Sequence, residues 1–261
     1  MKPMLAHVFK GASIQSPFFV QPKLNGIRGL YQNGRFWSRD EIPWHDEVIQ
    51  HVADELVQVI PLDWILDGEF YRHGWSLQQI NAAIAVKRFH KTPQTPQISF
   101  NVFDIVSVQP FPIRFATVVP LLRDLKNSFS VRTHICETLE QSTNLFCFYR
   151  RQGYEGIMYR HGNEGYVSKR CNHLLKRKAW FDSEFRIVGL EEGIGKCSNT
   201  LGALICITTD EKRFRVGTGF DDATRKMFFI DPPIGQLATV QFIGWSDAGI
   251  PLNTSFQGLR E

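Results

Sequence analysis

What the chain lacks narrows the field first. Its five cysteines, Cys136, Cys147, Cys171, Cys197 and Cys206, are scattered through 261 residues. The number is odd and no Cys-x-x-Cys pair occurs, so neither a disulfide framework nor a structural zinc site is expected. Thiols kept reduced in the cell fit this usage better. No apolar stretch approaches the roughly twenty residues that a membrane span requires. The start, Met1-Lys2-Pro3-Met4-Leu5-Ala6-His7-Val8-Phe9-Lys10, is too short and too interrupted by charge to read as a secretory leader. A cytoplasmic protein without a membrane partner is the expectation. Low-complexity tracts and internal repeats are missing as well. The charge excess is small, a formal +4, which permits a polyanionic partner without demanding one.

What is present suffices for folding: 43% of the residues are hydrophobic, enough for one large core or two smaller ones. Short β-type runs dominate, at Phe18 to Val20, Gly29 to Tyr31, Arg35 to Trp37, Ile65 to Leu66 and Ile98 to Val106. Asn33-Gly34 between two of them marks a tight hairpin, since both residues tolerate positive φ. Val48, Val52, Leu56 and Val59 recur at helical spacing and predict a helix over 45–59. Leu77, Ile80 and Ile84 do the same within 76–86, and the segments 120–129 and 136–151 are further helix candidates. From Glu184 onward only strands and turns are expected, the pattern of a small barrel. A boundary near Phe181-Asp182-Ser183 divides an α+β domain, 1–182, from an all-β module, 183–261.

Four constellations carry chemistry. Pro22-Lys23-Leu24-Asn25-Gly26-Ile27-Arg28 places a lysine after a β run, with a turn and an arginine close behind. Taken alone it is a hairpin with solvated charges. Leu66-Asp67-Gly68-Glu69-Phe70 sets two carboxylates around a glycine, able to hold a divalent metal or a ribose, or simply to make a turn. Glu155-Gly156-Ile157-Met158-Tyr159-Arg160 brings an acid into another β run. Leu174-Leu175-Lys176-Arg177-Lys178 interleaves cations with apolar residues, so that some lysines can point into a cleft.

In order along the chain, Lys-x-x-Gly-x-Arg, Asp-Gly-Glu, Phe103-Asp104, Glu-Gly and Lys-x-Lys resemble the covalent nucleotidyltransferase superfamily of DNA ligases, RNA ligases and capping enzymes. The resemblance runs from about Gln21 to the last residue. Asn25 departs from it, because most DNA ligases carry aspartate there. In the second part, Glu184 to Gly189, Gly193-Ile194-Gly195-Lys196 and Leu201-Gly202-Ala203-Leu204 look like the OB-fold opening of ATP-dependent DNA ligases. The ending Phe256-Gln257-Gly258-Leu259-Arg260-Glu261 is similar to their last motif.

The resemblance implies a fold, an α+β, ATP-grasp-like nucleotidyltransferase domain of antiparallel sheets and helices followed by a C-terminal OB-fold barrel. It implies an ATP-dependent DNA ligase of minimal, bacteriophage-type form, acting in the host cytoplasm if it comes from a phage. It also assigns residues. Lys23 is the nucleophile that forms lysine–AMP, which requires its amine to be neutral when it attacks. Gln21 meets the adenine edge, Phe103 stacks on the base, and Glu69 binds the ribose. Arg28 and Arg39 contact the nucleotide or the nick 5′-phosphate. Lys176 and Lys178 neutralise the α-phosphate, and Arg260 addresses the pyrophosphate. Glu69 and Glu155 are the candidate ligands for Mg²⁺, with Mn²⁺ as a substitute.

The implied partners are nicked duplex DNA and, given Asn25, RNA-containing duplexes. A monomer is expected. No extra DNA-binding domain is expected before Lys23, and Gly195 to Leu204 is too short for an encircling latch to be expected there. The rival readings are an RNA ligase or a ligase acting on RNA–DNA hybrids, a capping guanylyltransferase, and a non-catalytic protein that binds nucleic acid through a decayed nucleotidyltransferase domain.

Overall fold

Why the run Phe18 to Lys23 is buried almost throughout is clear from its place between two other strands. In the computed structural model, which describes residues 1–11, 14–246 and 248–260, this strand lies inside a sheet. The chain forms two compact units, Met1–Lys178 and Ala179–Glu261.

The first unit contains β1 (Leu5–Val8), β2 (Phe18–Lys23), β3 (Ile27–Gln32), β4 (Arg35–Ser38), α1 (Asp46–Val59), β5 (Ile65–Tyr71) and α2 (Leu77–Ala83). It continues with β6 (Ser99–Ile105), α3 (Phe111–Val118), β7 (Ser128–Ser130), β8 (His134–Cys136), α4 (Leu139–Arg151), β9 (Gly156–His161) and β10 (Arg170–Lys178). Two five-stranded sheets result, in the orders β1-β10-β9-β2-β8 and β4-β3-β5-β6-β7. The chain crosses from one to the other at Leu24-Asn25-Gly26, immediately after Lys23.

Strand alternation sorts the chemistry from the packing. In the first sheet, Phe18, Val20, Ile157 and Tyr159 form a core with Tyr149 of α4, and Leu145, Phe146 and Leu175 pack against it. The intervening residues Gln21, Lys23, Met158, Arg160, Leu174 and Lys176 line a cavity on the other face. In the second sheet, Leu66, Phe70, Phe100 and Val102 pack with Val48, Ile49, Val52 and Leu56 of α1. Its opposite face turns Arg28, Glu69 and Phe103 to the same cavity.

The hairpin at Asn33-Gly34 has positive φ at both residues, 51° and 74°, as the sequence required. Ser76 and Thr138 start α2 and α4 with capping boxes, closed by Gln79 and Gln141. Two helix expectations need correction in this unit. The segment 120–129 makes a single 3-10 turn, Pro120–Leu122, and then enters β7, because Glu55 of α1 takes the Lys126 and Asn127 amides and turns the chain. The helix of that region lies earlier, in α3, where Phe111, Arg114, Phe115 and Val118 are buried at helical spacing behind an N-terminal proline pair. Cys136 belongs to β8, so the fourth helix begins at Leu139.

The second unit has β11 (Phe181–Glu192), β12 (Leu201–Ile207), β13 (Arg213–Val216), α5 (Asp222–Ile230), β14 (Leu237–Phe242) and β15 (Ser255–Leu259). The sheet order is β13-β12-β11-β14-β15. The long β11 changes partner near Arg186, from β14 to β12, and a register shift between Ile187 and Gly189 bends it there. That lets the sheet curl around Ile187, Leu204, Cys206, Val216 and Val240. The helix α5 corrects the expectation of strands and turns alone. Asp221 caps it through the Thr224 amide and Phe228 anchors it, whereas Met227 and Ile230 stay exposed, so the apolar stripe is too narrow to show in sequence. No described helix is long and apolar enough to cross a membrane.

Candidate active site

The cavity between the two sheets has a volume of about 620 Å³ and is lined by residues of the first unit alone. Seven of the residues that the sequence singled out line it: Gln21, Lys23, Arg28, Arg39, Glu69, Phe103 and Lys176.

Lys23 ends β2, so the base of its side chain is fixed by a buried strand while the residue lines the cavity. That Nζ lies 2.5 Å from Glu155 Oε2, and Lys178 Nζ lies 2.5 Å from Oε1 of the same carboxylate. The Glu155 amide donates to the Lys23 carbonyl, which fixes the two backbones against each other. Burial opposes the charge on Glu155, but the two ammonium groups outweigh it and hold the carboxyl below its usual range. Lys176 is shifted down, by burial and then by Lys178, Lys23 and Arg170 around it.

Two glycines make this approach possible. A Cβ at Gly26 would stand 2.1 Å from the Phe70 carbonyl oxygen, and one at Gly156 would stand 2.0 Å from that of Arg177. The Lys-x-x-Gly and Glu-Gly spacings thus record where one backbone passes hard against another. The Gly26 amide in turn donates to Glu69 Oε1 at 3.2 Å. Burial pushes the Glu69 carboxyl up to about 7, although Lys23 and Arg28 pull it down. Asn25, the departure from the family pattern, is exposed beside this turn.

Arg28 lines the cavity with its guanidinium already committed. It grips Asp67 by two bonds, Nε to Oδ1 at 2.8 Å and Nη2 to Oδ2 at 2.5 Å, and Tyr166 donates to the same Oδ2 at 2.6 Å. Burial lowers the Arg28 pKa, but Asp67 more than restores it, so the group stays charged. The aspartate of Asp-Gly-Glu is therefore the arginine's anchor, and Glu69 is the carboxylate turned to the cavity.

Phe103 is displayed by a bulge. Asp67 pairs with Asp104 and Gly68 with Val102, which leaves Phe103 unopposed. The Arg28 and Arg160 guanidinium carbons lie 5.2 Å and 5.4 Å from its ring centroid. Behind it, the fully buried Asp104 takes Arg114 by two bonds, 2.7 Å and 3.0 Å, and Arg160 by one, 2.5 Å. Arg160, Asp104, Arg114 and Tyr166 carried no assigned role in the sequence reading. The signal for two of them was there, since Asp104 completes Phe-Asp and Arg160 closes the Glu-Gly motif. Arg114 and Tyr166 stand in no motif.

Glu155 and Lys178 touch Lys23 or its partner, so the structure brings them to the same place. Arg260 belongs to the second unit, where its guanidinium pairs with Glu184 and its amide donates to Leu237. Glu261, the last residue of its motif, lies outside the described residues. Among the described residues no group of three or more potential metal-ligating side chains occurs. Mg²⁺ needs no such cage, because it is usually held by one or two carboxylates together with substrate phosphates. Glu69 and Glu155 beside the cationic cavity fit that mode.

A lysine amine against a carboxylate, with further cations around a cleft of this size, has the parts that phosphoryl transfer requires. A family model described as "ATP dependent DNA ligase domain" matches residues 3–178. The chain belongs to that family. A second model, "DNA ligase OB-like domain", matches residues 192–260 of the ligase. The ligase is 28% identical over 297 aligned residues to a DNA ligase of African swine fever virus, covering 99% of this chain and 68% of the viral protein. Among solved structures, a Lig E DNA ligase described as a minimal DNA-binding scaffold superposes with a TM-score of 0.85 at 22% identity, over 100% of this chain and 99% of that one. The Chlorella virus DNA ligase-adenylate gives a TM-score of 0.58 at 20% identity, over 100% and 98% of the two chains. The ligase thus has the nucleotidyltransferase-plus-OB architecture that its motifs imply.

Proposed function

We propose that this ATP-dependent DNA ligase seals 5′-phosphate/3′-hydroxyl nicks in duplex DNA through a covalent AMP on Lys23. The observation that carries the reading is the Lys23–Glu155–Lys178 contact beside the cavity. In the first step Lys23 Nζ attacks the α-phosphorus of ATP. A nitrogen–phosphorus bond forms, the bond to pyrophosphate breaks, and Glu155 Oε2 takes the proton that the amine must lose. Lys176 and Lys178 neutralise charge on the α-phosphate, Glu69 holds the ribose, and Phe103 stacks on adenine. In the second step an oxygen of the nick 5′-phosphate displaces Lys23, and Glu155 returns the proton. In the third the 3′-hydroxyl attacks the activated phosphate and AMP leaves.

Glu155 and Glu69 are proposed as the residues that would hold Mg²⁺, or Mn²⁺ as substitute, which would supply further neutralisation of phosphate charge. Arg28, clamped on Asp67, is preset rather than mobile, which favours a fixed contact to the nucleotide. Arg39 is proposed for the nick phosphate. Arg260 is proposed for the pyrophosphate, and Arg260→Ala is expected to harm adenylylation more than the sealing of pre-adenylylated nicks. The protein is proposed to act as a monomer.

The test is single-turnover discharge of enzyme labelled with α-labelled ATP, on nicked DNA and on nicked RNA–DNA hybrids. Discharge with sealing of nicked DNA supports the proposal. Discharge confined to RNA-containing nicks moves the substrate to RNA, and binding of nicks by a protein that never takes label makes it a non-catalytic binder.

A further inference from the structure

Gln21 is 1% exposed, and every direction of its carboxamide is accounted for but one. Nε2 donates to the Phe103 carbonyl at 3.1 Å and to Thr133 Oγ1 at 2.9 Å, while Oε1 accepts from Arg160 Nε at 2.7 Å. An amide can in general be turned over, exchanging its donor and acceptor ends. Here the neighbours forbid it. A guanidinium only donates and a carbonyl only accepts. Thr133 spends its own hydrogen on the Val131 carbonyl at 3.0 Å, so it too can only accept from Gln21. Turning the amide over would set an NH₂ against Arg160 and an oxygen against two acceptors.

Both Nε2 hydrogens are used, and one lone pair of Oε1 is left. Gln21 lines the cavity, and its donor end is tied to the backbone of Phe103, the ring proposed to stack on the base. What Gln21 can offer a bound base is an acceptor and not a donor. Adenine presents its N6 amino group as a donor on that edge, whereas guanine presents the O6 acceptor.

We propose that Arg160 and Thr133 are positioning residues that lock the Gln21 carboxamide as an acceptor, and that this lock selects ATP over GTP. The inference rests on the reading of this cavity as the nucleotide site. Arg160 is itself held by Asp104, which Arg114 also grips, so the lock is anchored in the buried ion cluster behind Phe103. Guanine in this site would face lone pair against lone pair and leave a buried acceptor unsatisfied. The amide alone, free to turn, could serve either base.

The experiment is covalent labelling of the full chain from α-labelled ATP and GTP, with kcat/KM for each, in wild type, Gln21→Leu, Arg160→Lys and Thr133→Val. Arg160→Lys keeps a cation for Asp104 but loses the Nε donor. Wild type is expected to prefer ATP by about tenfold or more. That ratio should fall by about tenfold in Gln21→Leu and Arg160→Lys, and by less in Thr133→Val. A loss of folding or of general activity lowers both nucleotides together and leaves the ratio in place. An unchanged ratio in Gln21→Leu, or in Arg160→Lys with Gln21→Leu responding, overturns the proposal. If Arg160→Lys shows no cooperative melting, Thr133→Val decides, and an unchanged ratio there is equally fatal. Wild type labelled equally by both nucleotides removes this inference and leaves the ligase reading intact; labelling by neither removes the ligase reading itself.

Discussion

Glu155 stands between Lys23 and Lys178 with one carboxylate oxygen 2.5 Å from each ammonium nitrogen. The nucleophile and a charge-neutralising lysine of the proposed reaction therefore share one carboxylate. In the proposed reaction, ATP phosphates would compete with Glu155 for both cations. Drawing Lys178 to phosphate would leave Glu155 to act on Lys23 alone.

Replacing that carboxylate by an amide keeps the shape and a hydrogen bond but removes the proton acceptor. Glu155→Gln is expected to slow adenylylation by about 10²–10³-fold. Sealing of pre-adenylylated nicks, which needs no proton from Lys23, should fall less. Rapid-quench labelling from α-labelled ATP, set against sealing of adenylylated nicks, checks both.

Gly26→Ala is expected to destabilise the first unit by about 2–4 kcal/mol, because its Cβ would meet the Phe70 carbonyl oxygen and the Glu69 Cγ across the β3–β5 pair. Backbone oxygen cannot rotate away as a side chain can. Urea unfolding should show the midpoint falling without a change in slope.

The Glu69 carboxyl, pushed up to about 7 from an ordinary 4.5, sets a pH dependence with a definite sign. Between those values the folded protein holds a proton that the unfolded chain has lost, so stability falls as pH rises from 4.5 and the loss is complete above 7. The loss should be of order 2 kcal/mol, since the residue keeps some exposure towards the cavity. Glu69→Gln should flatten this part of the profile, and melting temperatures of both proteins from pH 4.5 to 8 measure it.

Much of the site was legible because its chemistry is local in sequence. Lys23 and Gly26, Asp67 and Glu69, and Lys176 and Lys178 each sit within one strand or turn, where alternation and close backbone approach fix the spacing. The partners they meet were not legible as contacts. Lys23 finds Glu155 across 132 residues of chain, and Arg28 finds Asp67 across 39. Arg114 reaches Asp104 from a helix and Tyr166 reaches Asp67 from a loop, with no motif around either. In the fold, Asn33-Gly34 and the heptad-like run of α1 declared themselves through local physics. The stretch 120–129 did not, because a tertiary contact from Glu55 decided it. Helix α5 stayed hidden because so little of its surface is buried.

The central claim is that Lys23 carries AMP and that Glu155 and the lysines around it serve that step. The most direct measurement is the intact mass of wild type and Lys23→Ala after incubation with ATP and Mg²⁺, followed by sealing assays on ordinary and pre-adenylylated nicked DNA. The account predicts an AMP adduct on wild type alone, loss of ATP-dependent sealing in Lys23→Ala, and residual sealing of pre-adenylylated nicks by the same variant. An AMP adduct on Lys23→Ala, or undiminished ATP-dependent sealing by it, would contradict the account.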